Sequence, residues 1–160
     1  MRTIKFRGKD IETGKWVYGF YVRLEDTFRK PIEGKERITN RIYTGSADSC
    51  VAPTTGYDFS GDWYEVDQNT VGQFTGLYDC NGREIYEDDI VDLDYIIYDP
   101  WDDAEESLEP MRCVVVYEDF GFRFKKEEDL SYFLHDVKNI KVICNIHDNP
   151  ELMKGGKDVL

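Results

Sequence analysis

The strongest constraint on the fold is how often short apolar runs are cut by turn chemistry. Val71–Leu77 and Arg83–Tyr86 flank Asp79-Cys80-Asn81-Gly82. Asn-Gly is a strong short-range hairpin signal, because both residues tolerate the positive φ of a type I′ turn. From Asp89 to Tyr98, Ile90, Val91, Leu93, Tyr95 and Ile97 are interleaved with polar residues, the period-2 pattern of a half-buried strand. Arg112–Tyr117 and Phe122–Lys126 make a further pair around Glu118-Asp119-Phe120-Gly121. Segments this short bury their apolar faces by pairing, which points to antiparallel sheets.

The flanks extend that pattern. Ile4, Phe6 and Gly8 alternate with Lys5 and Arg7 before the turn Glu12-Thr13-Gly14-Lys15, and Trp16–Leu24 answers as the second arm of a hairpin. Arg37–Tyr43 and Lys141–Ile146 are further predicted strands, and residues 44–62 are predicted to be an irregular loop. One helix is predicted over Glu127–Val137, where Leu130, Phe133, Leu134 and Val137 fall at helical spacing. A short helical turn is expected at Asn149-Pro150-Glu151-Leu152-Met153, and a fraying tail after Lys154. The expected fold is mainly β, a β-rich α+β chain of antiparallel strands, with a small SH3-like barrel in the C-terminal half and one or two short helices. The 160 residues suit one domain. Its subdivisions would be 1–62 (hairpin and variable loop), 63–153 (barrel-like core) and 154–160 (tail).

Charge is unevenly spread. The formal net charge is -13, from 33 acidic and 20 basic residues. Eleven of the acids, and no Lys or Arg, lie between Glu87 and Glu109, so the remainder carries 22 acids against 20 bases. The segment Asp99–Pro110 reads as an exposed acidic loop. Asp92, Asp94, Asp99, Trp101, Asp102, Asp103, Glu105 and Glu106 are therefore the candidate partner-binding residues. Such a segment repels phosphate, so direct nucleic-acid binding is not expected. A basic face for it would have to come from Arg2, Lys5, Arg7, Lys9 and Lys15.

Val71-Gly72-Gln73-Phe74-Thr75-Gly76-Leu77-Tyr78-Asp79, continuing through Cys80-Asn81-Gly82-Arg83-Glu84-Ile85-Tyr86 to Glu87-Asp88-Asp89-Ile90-Val91, resembles the central signature of the YopX family of bacteriophage and prophage proteins. The opening Ile4-Lys5-Phe6-Arg7 and the closing Ile143-Cys144-Asn145-Ile146-His147-Asp148-Asn149-Pro150-Glu151-Leu152 match it as well. The resemblance implies a mostly β, phage-encoded protein of the bacterial cytoplasm and carries over no catalytic residue. Gly72, Gln73, Gly76, Asn81, Gly82, Ile85, Tyr86, Asp89, Asn145, Asn149 and Pro150 are the motif positions to which it implies structural roles. Two positions depart from the family pattern. Asp88 and Cys144 each stand where a glycine is usual, and at Asp88 a positive φ is at issue.

Chemistry candidates are few. Cys144-x-x-His147 with Cys113 has the right ligand types for zinc, but residues three apart on a strand point to opposite faces. Asp88, Asp89, Asp92 and Asp94 are candidates for a cation site or a glycosidase-like pair, against which stands a solvated strand face. His135 and His147 are the only histidines available as a base. No catalytic, metal or cofactor residue is assigned, and no cofactor is expected. Trp16, Tyr18, Phe20, Trp63, Tyr64, Tyr78 and Tyr86 suggest core packing or an interface more than a stacking platform, which needs basic charge close by. Cys50, Cys80, Cys113 and Cys144 form no CxxC pair and are expected as reduced thiols. No apolar stretch approaches a membrane span, and the basic start lacks the apolar core of a signal peptide, so a cytoplasmic location is expected.

The reading is a non-enzymatic phage accessory protein that binds another protein and itself. The alternatives are an acidic nucleic-acid mimic that blocks a DNA- or RNA-binding factor, and a metal- or carboxylate-dependent hydrolase.

Overall fold

In the computed structural model, residues 4–25, 38–45, 61–97, 107–127, 130–133 and 137–154 are described. The runs rich in branched and aromatic side chains are strands, because such side chains pack well on a pleated, half-buried surface. In chain order they are β1 (Phe6–Lys9), β2 (Trp16–Glu25), β3 (Ile38–Tyr43), β4 (Trp63–Glu65), β5 (Gly72–Tyr78), β6 (Glu84–Tyr86) and β7 (Asp89–Ile97). Then follow β8 (Ser107–Glu118), β9 (Gly121–Glu127), β10 (Leu130–Phe133), β11 (Val137–Asn145) and the one-turn α1 (Glu151–Lys154). The mainly β, antiparallel class expected from the sequence is the one found.

The chain forms two compact units, 1–73 and 74–160, with the boundary inside β5. In the first unit the strand order is β4-β3-β2-β1, and the first residues of β5 pair with β1 at Phe6↔Gln73 and Arg7↔Gly72. The predicted hairpin turn is closed by Asp10, whose carboxylate accepts from the Thr13 N–H and hydroxyl, and Gly14 takes φ +68°. These bonds hold the Asp10 carboxyl below its usual range; the Thr13 hydroxyl contributes most, and partial burial opposes it. Ile42 and Val66 are buried on the sheet. Gly19 is required where β2 passes β3, because a Cβ there would collide with the Tyr43 carbonyl.

In the second unit the order is β10-β9-β8-β7-β11, and the sheet does not close into the predicted barrel. Val91, Leu93, Met111, Cys113, Val115, Phe124 and Val142 share one core with Ile85 of β6. Two further expectations are corrected. The predicted helix over Glu127–Val137 is absent: Leu130–Phe133 is β10, paired with β9, and β11 begins at Val137. The predicted acidic loop ends earlier than Pro110, since β8 starts at Ser107 and Pro110 faces Asp94 within the ladder. Pro110 is tolerated because β9 joins β8 only from Val114 onward, leaving one side of β8 unpaired at that point among the described residues.

The Gly19→Ala variant forces β2 and β3 apart and should lose about 1–3 kcal/mol of stability, read as a lower urea midpoint with an unchanged m-value.

Candidate functional site

The YopX-like motif folds into two neighbouring assemblies in the second unit. The first is the β5–β6 hairpin. Gly82 N–H donates to the Asp79 carbonyl (3.0 Å) and Asp79 N–H to the Arg83 carbonyl (2.8 Å). Only Gly82, at φ +79°, is left-handed. The turn is therefore type I followed by a glycine bulge, and the expected type I′ geometry with Asn81 also left-handed is not adopted. Upstream, Gly76 at φ +89° sits where the β5–β6 register shifts, and the Thr75 hydroxyl donates to the Ile85 carbonyl (2.9 Å).

Asp79 ties this hairpin to β11. Its Oδ1 accepts from the Asn81 and Arg83 N–H groups (2.8 and 2.9 Å), and its Oδ2 from Val142 N–H (3.1 Å). Cys80 N–H donates to the Ile140 carbonyl (2.8 Å), beside a bulge where Asn139 takes φ +54°. Burial pushes the Asp79 carboxyl up, but the N–H bonds from Arg83, Val142 and Asn81 outweigh it and hold the group below the ordinary carboxylate range.

The second assembly joins the β6–β7 turn to the end of β11. Asp88, at the glycine position of the motif, has φ +67°. Its N–H donates to the Val115 carbonyl (2.8 Å), and its carbonyl accepts from Ile146 N–H (3.0 Å). Its Oδ2 lies 2.9 Å from His147 Nε2. Asp89, fully buried, accepts from Tyr86 N–H at 2.8 Å. Asn145 Oδ1 accepts from the His147 and Asp148 N–H groups, Asn145 Nδ2 donates to Asp148, and Asn149 N–H donates to the Asn145 carbonyl. Pro150 then leads into α1. The motif residues thus act as turn, bulge and cap devices.

Chemically, Asp88 and His147 form an oriented carboxylate–imidazole pair, two members of a relay that needs a nucleophile as its third. The buried thiols do not supply one: burial pushes Cys113 up to about 11 and raises Cys144 as well. Cys113 lies opposite Val91 and Cys144 opposite Ile90, so β7 separates the two cysteines of the candidate zinc set. Among the described residues no three His, Cys, Asp or Glu side chains are gathered as metal ligands.

The candidate partner-binding acids divide. Asp99, Trp101, Asp102, Asp103, Glu105 and Glu106, like His135 and Cys50, lie outside the described residues. Asp92 and Asp94 are on β7, a strand flanked on both sides, and face basic or amide groups. Asp92 accepts both Arg112 Nε (2.7 Å) and Nη2 (3.0 Å) and stands opposite Lys141; Asp94 accepts from Asn139 Nδ2 (2.8 Å) and stands opposite Lys138. At this exposure the Asp92–Arg112 pair contributes about 0.2–1 kcal/mol. More consequential is that the acids of β7 are matched by their neighbours.

Sequence reasoning passed over Phe120. Asp119 (φ +47°) and Phe120 (φ +68°) form the two-residue β8–β9 turn, and Phe120 is 99% exposed. The only sequence signal was the missing glycine in a loop of that length. In the first unit, Trp16, Tyr18 and Phe20 line one face of β2, while Tyr86 of the second unit is buried, its hydroxyl donating to Glu84.

This mainly β architecture, with its buried-carboxylate turns, is what the sequence motifs build. The chain belongs to the YopX family, whose model, described as YopX protein, matches residues 5–154. No curated protein matches the chain. Among solved structures it is similar to protein EF1440 from Enterococcus faecalis, at 23% identity and a TM-score of 0.47, over 96% of this chain and 99% of that one. No helix among the described residues is long and apolar enough to cross a membrane.

Two outcomes test these assemblies. Asp79→Ala orphans three backbone N–H groups and should cost roughly 3 kcal/mol in denaturant unfolding. Because the folded carboxyl is held low, the Asp79 contribution is present above the unfolded value near 3.8 and lost as pH falls through the folded one, so wild type and variant should converge in strong acid. At Asp88, Ala keeps the left-handed strain and loses the His147 contact, whereas Gly loses only the contact. Asp88→Gly should therefore be the more stable variant by about 1 kcal/mol.

Proposed function

We propose that the protein is a phage- or prophage-encoded accessory module of the bacterial cytoplasm that acts by binding another protein, without catalysis of its own. The observation that carries this reading is Phe120. A bulky residue in the left-handed region costs about 1–2 kcal/mol, and here no packing offsets it, since the ring is almost wholly exposed. Asn-Gly at the same place would close the turn without strain. Strain retained at an exposed aromatic is what a docking anchor needs: a rigid stem and a ring that loses little rotamer freedom on burial. Beside it, Tyr117 and Phe122 pack edge to face at the base of the hairpin (5.2 Å), with Tyr117 half exposed, widening the apolar contact.

A second copy of the chain is one such protein partner, but the sheet edges favour other routes to it. β4 and β10 have three and four residues. β11 carries two register shifts and the exposed Lys138 and Lys141, features that keep edges from pairing. The acidic nucleic-acid mimic gains little support from Asp92 and Asp94, whose charge is locally matched.

Phe120→Gly separates anchor from scaffold. It should raise stability by about 1 kcal/mol while abolishing partner contact, measured by calorimetry and by co-purification from host cells. A Phe120→Gly protein that co-purifies with the same partners as wild type would refute the anchor.

A further inference from the structure

The net negative charge that repels nucleic acid is not carried by the first unit. Residues 1–73 hold 11 Lys or Arg and 11 Asp or Glu, so all of the -13 belongs to residues 74–160. Within the first unit the basic and aromatic residues that the sequence left scattered are brought onto one sheet face. The β1–β2 register sets Arg7 against Tyr18 and Lys9 against Trp16. Lys5 Nζ lies 5.7 Å from the Tyr18 ring centre, Lys9 Nζ 5.4 Å from that of Trp16, and the Arg7 guanidinium 4.8 Å from the same indole. Phe20 continues the row along β2, and the β2–β3–β4 registers place Trp63 on the same face beyond the buried Tyr43. Tyr18, Phe20 and Trp63 are 43%, 36% and 41% exposed.

We propose that this face binds single-stranded nucleic acid. Exposed rings in a row offer stacking surfaces to successive unpaired bases, and ammonium groups within about 6 Å of those rings are placed for the phosphates between them. Arg7, nearly buried, packs its guanidinium on the Trp16 indole and is not itself a phosphate contact. Lys5 and Lys9, with the exposed Lys15 in the adjoining turn, are the phosphate contacts. Of the described acids on this face, Glu65 stands opposite Arg41 on the neighbouring strand, and Asp67, opposite Lys9, has its carboxylate engaged in capping Asn69. In a duplex the base faces are already stacked on neighbouring pairs, so the site discriminates against duplex.

The test uses the full chain with fluorescein-labelled oligo-dT and oligo-U of about 15 nucleotides, followed by anisotropy and by tryptophan quenching. Binding of either strand in the micromolar range at about 50 mM salt is expected, with a log–log salt slope near -2 for three phosphate contacts. Tyr18→Ala should weaken it by about 5- to 150-fold. The Lys5→Glu/Lys9→Glu pair should weaken it at least about tenfold and flatten the salt slope. Far-UV circular dichroism confirms that each variant is folded. Preference for oligo-dT or for oligo-U assigns the site to DNA or RNA. The proposal is overturned if no anisotropy change appears up to about 100 μM protein. It is equally overturned if duplex binds as tightly as single strand, or if the folded charge-reversal variant binds like wild type.

Discussion

A buried carboxylate that accepts main-chain N–H groups is the interaction on which the second unit depends. Asp79 closes its own turn and accepts from Val142, 63 residues further along the chain. Without it the β5–β6 hairpin would keep its strands and lose its place. Asp89 repeats the device on a smaller scale, accepting from Tyr86 and fixing the turn that feeds β7. Carboxylates are poor core residues unless every bond is made, and here the donors are backbone groups that would otherwise be orphaned by the bulges. Turns that a short hydrophobic core could not specify alone are thereby given one geometry.

Most strands were legible because alternation and turn chemistry are local. β2, β5, β7 and β9 begin and end within a residue or so of where the pattern placed them, and the glycine position occupied by Asp88 does have a positive φ. The helix over 127–137 failed for an instructive reason. Leu130 and Phe133 belong to β10 and Val137 to β11, so the apparent helical period was counted across two separate strands at opposite edges of the sheet. Two strands in sequence can imitate one amphipathic helix when the break between them carries no Gly or Pro.

What was not legible is pairing. The sequence showed an acidic run, but only register reveals that Asp92 meets Arg112 and that Asp94 meets Asn139. It showed lysines and aromatics near the N-terminus, but only the β1–β2 ladder sets them on a common face. The two hairpin turns also exchanged roles. Asn81-Gly82 forms a bulged type I turn, whereas the left-handed two-residue turn is built from Asp119 and Phe120. Strand length and twist, imposed by partners distant in sequence, decided between turn types that local propensity ranked the other way.

That exchange bears on the order in which the protein assembles. A hairpin normally starts at its turn, where loop closure costs least entropy. The Asn81-Gly82 turn suits such a start, with Gly82 in a conformation it adopts readily. The Asp119-Phe120 turn does not, since the unfolded chain seldom visits two consecutive left-handed residues without glycine. The β8–β9 ribbon is therefore zipped from the body of the strands, where Val115 and Phe124 meet in the core, toward its tip. The exposed ring at position 120 is among the last parts of the second unit to be set and the first to be released when the chain opens.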